Sequence, residues 1–169
     1  MDQMFAAIEA SGLSTWLRED TWAFPVVLIF HTVGLALLVG PNVAVDARIL
    51  GLARGLALAP LERFFVIAWL GFWMNAASGV LLLISYPTKA LTNPLFYGKL
   101  VLIAAAMAMM QTIRSSLRRE PSRTNNADLA SSQRVRLVAA ASLLCWAASI
   151  TAGRLLAYTY SWLLAGEPR

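Results

Sequence analysis

Charge is scarce in this chain. Asp, Glu, Lys and Arg together make up 14% of the 169 residues, 59% are hydrophobic, and the mean hydropathy is +0.63. A soluble domain carries about 25% charged residues, so the composition excludes a water-soluble globular fold and predicts an integral membrane protein. Cysteine and histidine occur once each, as Cys145 and His31. A single cysteine excludes an intrachain disulfide or a thiolate cluster, and a single histidine excludes bis-histidine haem ligation within one chain. There is no glycine-rich phosphate loop and no His pair at i, i+4. Carboxylates are absent from residues 21–45, 64–88 and 137–166, which argues against carboxylate-driven antiport and intramembrane hydrolysis. The first twenty residues contain Asp2, Glu9, Glu19 and Asp20 and lack a basic start followed by a long apolar core. They do not read as a cleavable leader.

Long apolar runs fill the remainder. Residues 21–45 and 64–88 carry no Asp, Glu, Lys or Arg, and 25 helical residues rise about 37 Å, enough to cross a ~30 Å hydrocarbon layer. A third run follows Pro94 and ends at Arg114, with Lys99 near its start; a fourth begins near Leu137 and is interrupted by Arg154. The sequence thus predicts an all-α integral membrane four-helix bundle. It forms a single transmembrane domain over 1–169, with spans at about 21–45, 64–86, 96–113 and 137–160. Before the first span, Phe5, Ile8, Leu13, Trp16 and Leu17 recur at near-helical spacing, as expected of an interfacial amphipathic helix. Residues 46–63 read as a membrane-surface connection, and 115–134 as a polar cytoplasmic linker.

Basic residues orient the chain. Arg48, Arg54, Arg63, Arg114, Arg118, Arg119, Arg123, Arg134 and Arg136 lie on one side, against Arg18, Lys89, Lys99 and Arg169 on the other. By the positive-inside rule the nine-residue side is cytoplasmic and both termini are periplasmic, at a bacterial inner membrane. The same rule accounts for the net charge of +5, so no nucleic-acid partner is implied.

The candidate site comes from polar groups at membrane depth. His31 stands about ten residues into the first span, roughly 15 Å deep by helical rise, where an ionisable group is costly and points to a function. It is the candidate metal ligand, through a neutral ring nitrogen, as an axial ligand of haem b or as a proton-transfer group. Its alternative role is a hydrogen bond to helix backbone or to Asn75. Asn75, Met107 and Ser149 fall at similar depth. Met107 supplies a thioether for a His/Met pair, or simply fills the core with Met109 and Met110. Arg154 lies near the outer interface with Tyr86, Lys99, Tyr158 and Tyr160; it meets an anionic group there or snorkels outward. The expected cofactor-binding set is therefore His31, Asn75, Lys99, Met107, Arg154 and Tyr158. Asp46 and Arg48 mark the inner end of the first span, in a structural role. Residues 77–86 align with 151–160 at an offset of 74, matching Gly79 with Gly153, Leu81 with Leu155, Leu82 with Leu156 and Tyr86 with Tyr160. Such a match suits two helical hairpins related by an axis along the membrane normal.

The run WAFPVVLIFHTVGLALLVGPNVAVDARILGLA at 22–53, with NPLFYGKL at 93–100 and AGRLLAY at 152–158, resembles a family of small bacterial inner-membrane proteins classed as a domain of unknown function. The resemblance rests on Pro25, His31, Gly34, Asp46, Arg48, Lys99, Gly153 and Arg154 and covers most of the membrane part. It implies the four-span architecture and supplies no activity. A looser likeness to four-helix membrane cytochromes and copper-resistance proteins stops at the histidines, which those proteins have in greater number. Three functional readings stay open. One is a small subunit or homo-oligomer binding a cofactor, lipid or partner within the bundle, including haem-linked redox. Another is soft-metal, copper-type transport through His31, Met107 and Cys145. The third is a structural subunit of a larger membrane complex.

Overall fold

The computed structural model describes residues 2–53, 61–119 and 132–165. All regular structure there is helical, in seven elements: α1 (Asp2–Glu9), α2 (Gly12–Glu19), α3 (Ala23–Leu50), α4 (Leu61–Ser85), α5 (Pro87–Leu91), α6 (Pro94–Arg119) and α7 (Gln133–Ala165). Helices α3, α4, α6 and α7 are each long and apolar enough to cross a membrane. The protein is an all-α four-helix bundle of membrane-spanning character.

Local chemistry sets the boundaries. Asp20 Oδ1 accepts from the amides of Trp22 and Ala23 at 2.9 and 2.8 Å, satisfying donors at the start of α3. At the other end of α3, Gly51 takes φ 83°, and its N–H bonds back to Arg48 O at 3.1 Å. Glycine reaches that left-handed conformation without steric cost. Pro87 opens α5, and Pro94 opens α6, where Asn93 Oδ1 accepts the Leu95 amide at 3.0 Å. Helix α3 therefore runs to residue 50, five residues past the expected end of the first span, and includes Asp46. The expected amphipathic helix is two short helices, α1 and α2, with the Ser11 hydroxyl capping the second at the Ser14 amide. Residues 115–119 continue α6, and 133–134 begin α7; residues 120–131 of the expected linker, and residues 54–60 of the expected surface connection, lie outside the described residues.

The helices pair as hairpins, α3 with α4 and α6 with α7, and α3 packs on α7 across the seam. The apolar core fills the half of the bundle away from α5. Leu38, Val39, Phe65, Ala68, Ala106, Met110 and Trp146 form one cluster, and Val45, Ile49, Ile113 and Ala139 continue it. At the α5 end the short helices are stitched on by polar contacts. Ser14 Oγ donates to Ile84 O at 3.0 Å, Thr88 Oγ1 donates to Glu9 Oε1 at 2.7 Å, and Leu17 is buried beneath α2.

Candidate functional site

The core stops short of the α5 end, and there the four long helices and α5 line a half-open cavity of about 590 Å³. Most of its wall is apolar, with Phe24, Leu28, Phe72, Leu83 and Phe96 among the larger side chains. The nitrogen-bearing groups on it are His31, Asn75, Lys89 and Lys99, and Tyr86 adds a phenol. Among the described residues no carboxylate lines it.

His31 is fixed by the facing helix. Its Nδ1 lies 3.1 Å from Asn75 O and 3.1 Å from Ser78 Oγ. A backbone carbonyl only accepts, so Nδ1 carries the proton and donates; Ser78 in turn donates to Met74 O at 2.7 Å. The exchange is reciprocal, because Asn75 Nδ2 donates to His31 O at 2.8 Å. Protonation at Nδ1 leaves Nε2 with its lone pair, and Nε2 has no hydrogen-bond partner among the described residues. Such a nitrogen can ligate a metal or accept a proton from a ligand.

Glycines make this geometry reachable. A Cβ on Gly34 would stand 2.7 Å from Asn75 N, and one on Gly71 would stand 2.7 Å from Leu37 C. Only glycine lets the α3 and α4 backbones approach this closely. Gly79 seats the imidazole: a Cβ there would be 3.3 Å from His31 Cε1. On the second hairpin Gly153 does the same for Lys99, with Cδ, Cε and Nζ lying 3.7, 3.5 and 3.4 Å from the position of a Cβ. Lys99 thus lies across α7, half-buried, and makes no hydrogen bond or ion pair with any described residue.

Of the six residues expected at the site, His31, Asn75 and Lys99 meet on the cavity wall. Met107 is elsewhere, packed with Cys145 against the Leu38–Trp146 core cluster. Arg154 and Tyr158 are exposed and do not line the cavity; the α7 residue that does so at this level is Gly153. Of the expected neighbours of Arg154, Tyr86 and Lys99 are on the cavity wall, and the side chain of Tyr160 lies outside the described ones. Sequence reasoning did not single out Ser78 or Phe72, since a small hydroxyl and a phenylalanine in an apolar helix carry no distinguishing signal. Gly79 and Gly153 did carry one, in the match at offset 74.

A second polar cluster sits at the α3–α7 seam. Asp46 is 2% exposed, and its Oδ2, Ser142 Oγ and Trp146 Nε1 are buried without hydrogen-bond partners. Among the described residues no group of three or more His, Cys, Asp or Glu side chains gathers to hold a metal ion. Compared with known proteins, the chain matches no family model, no curated protein and no solved structure.

Proposed function

We propose that this is a non-hydrolytic bacterial inner-membrane protein that holds a small apolar ligand or cofactor between its two hairpins, with both termini periplasmic. It works as a homo-oligomer or as a small subunit of a larger membrane complex. One observation carries the reading: an apolar cavity of about 590 Å³ with His31 on its wall, its ring oriented through Nδ1 by Asn75 and its Nε2 unengaged. Ligand sites are apolar concavities with a few placed polar groups, and an intramembrane histidine held in one tautomer is a costly arrangement in a purely structural helix.

In the redox form of this reading His31 would hold the iron of haem b through Nε2, and Lys99 would pair with a propionate. A reduced-minus-oxidised visible spectrum of protein purified in mild detergent tests it. Soret and α bands that disappear in His31→Ala establish haem. A flat spectrum from folded protein expressed with ample haem removes the redox form and leaves a colourless ligand. The copper reading draws no comparable support, because Met107 and Cys145 pack in the core rather than beside His31.

A further inference from the structure

We infer that the ligand of this cavity carries a carboxylate on an apolar body, and that Lys99 is the residue that binds the carboxylate. The inference rests on the binding role proposed above and names the chemistry of what is bound. It begins from a charge without a counter-charge. Lys99 lines an apolar cavity whose described lining contains a second lysine, Lys89, and no acidic residue, and it pairs with no described group. An ammonium in such surroundings gains from an anion supplied by the ligand.

Lys99 could discharge this cost by snorkelling along its own helix towards water. Its side chain does otherwise. The last three atoms of its stem lie over Gly153 on the neighbouring helix, so the chain is laid across the α6–α7 contact. The offset-74 match gives this seat its meaning. Gly79 and Gly153 occupy equivalent positions in the two hairpins, and each carries across it one nitrogenous side chain from its partner helix, His31 or Lys99. Both side chains reach one cavity from opposite hairpins. One offers a neutral acceptor and the other a cation.

The anion is a carboxylate rather than a phosphate because the described lining contains no arginine. Phosphate recognition favours guanidinium forks or several convergent amides, whereas the ammonium that lies across the α6–α7 contact, that of Lys99, is a point charge suited to a monoanion. Two sources share this chemistry: a single-chain fatty acid, and a tetrapyrrole with propionate side chains.

Binding of matched acids and esters to the full chain in uncharged detergent tests the inference and separates the sources. The pairs are parinaric acid against its methyl ester, and protoporphyrin IX against its dimethyl ester, each followed by fluorescence. In the wild type the acid of at least one pair should bind about tenfold more tightly than its ester, the effect of one partly desolvated charge pair. The pair with the larger ratio identifies the source. Lys99→Met should abolish that preference, bringing the acid's affinity down to the ester's, and Lys99→Arg should retain it. Equal affinities for acid and ester in the wild type overturn the carboxylate inference and leave the cavity's binding role standing. Absence of binding by all four probes overturns both. The wild-type ratio decides the matter even if Lys99→Met fails to fold, and a preference that survives in folded Lys99→Met overturns the assignment to Lys99.

Discussion

The two hairpins are built on different principles. In α3/α4 the backbones touch through Gly34 and Gly71, and polar side chains lock the contact: Asn75 donates to His31 O, and His31 donates back to Asn75 O. In α6/α7 the contact is made by apolar side chains such as Met110, Ala106, Ala139 and Trp146. At the α5 end a side-chain hydrogen bond runs from Asn93 Nδ2, in the turn before α6, to Thr159 Oγ1 on α7 at 2.9 Å. Hydrogen-bonded close packing fixes register and rotamer, whereas apolar side chains repack at small cost. The cavity therefore has one rigid wall, which holds the imidazole in a single tautomer, and one adaptable wall, which carries the flexible Lys99.

Filling the rigid contact should have the largest effect. Gly71→Ala puts a methyl group against the backbone of Leu37 and Leu38 and the carbonyl of Gly34, none of which is the movable end of a side chain. Separating the two helices should cost about 3 kcal/mol, seen as a large fall in the midpoint of thermal unfolding in detergent. If Gly71→Ala melts with the wild type, the close approach is not what holds the first hairpin together.

Cutting the polar lock should cost less. Asn75→Ala removes the donor to His31 O, and hydrogen bonds within membrane bundles contribute about 1–2 kcal/mol. The backbone carbonyl of residue 75 remains as an acceptor for Nδ1, so the imidazole keeps its tautomer while its helix is held less firmly. The expected signature is a moderate drop in stability with the cavity still able to bind. A drop as large as that of Gly71→Ala would show that the side-chain lock, and not backbone contact, dominates.

The seam between the hairpins offers the opposite case, a buried carboxyl with one oxygen left unbonded. Asp46 Oδ2 is buried beside α7 with nothing bonded to it. Asp46→Asn keeps the shape, removes the ionisable group and adds an amide donor. Relief of an unsatisfied buried group should raise stability by about 1 kcal/mol. A loss of stability on this substitution would show that the carboxyl has a partner of its own, such as a bound water shared with Ser142 and Trp146.

Four spans and the paired-hairpin arrangement were legible because lipid imposes them: uncharged runs of about 25 residues have few other uses. His31, Asn75 and Lys99 were legible for the same reason, since polar groups are rare at that depth and helical rise gives their level. Rise alone gives no direction around the helix. Met107, expected at the level of His31, packs into the core with Leu38 and Trp146, and Arg154 is next to Gly153 yet lies outside the cavity lining. Asp46 was placed at the end of the first span because a charge normally marks the interface. Its burial depends on α7 lying alongside, a tertiary fact with no local signature.

The finest test of the two walls uses alanine at glycines of the second hairpin. A Cβ at Gly98 meets nothing within 4 Å, so Gly98→Ala adds only helix propensity and should stabilise by about 0.5–1 kcal/mol. Gly153→Ala gains the same propensity and meets only the stem and ammonium of Lys99, in ordinary contact at 3.4 Å and beyond. Its stability should stay within about 1 kcal/mol of the wild type, because a flexible side chain moves aside where a backbone cannot. Unfolding midpoints of Gly98→Ala, Gly153→Ala and Gly71→Ala on one scale therefore read the difference between the walls directly. If Gly153→Ala falls as far as Gly71→Ala, the second wall is as rigid as the first, and Lys99 is held in one position rather than free to follow a ligand.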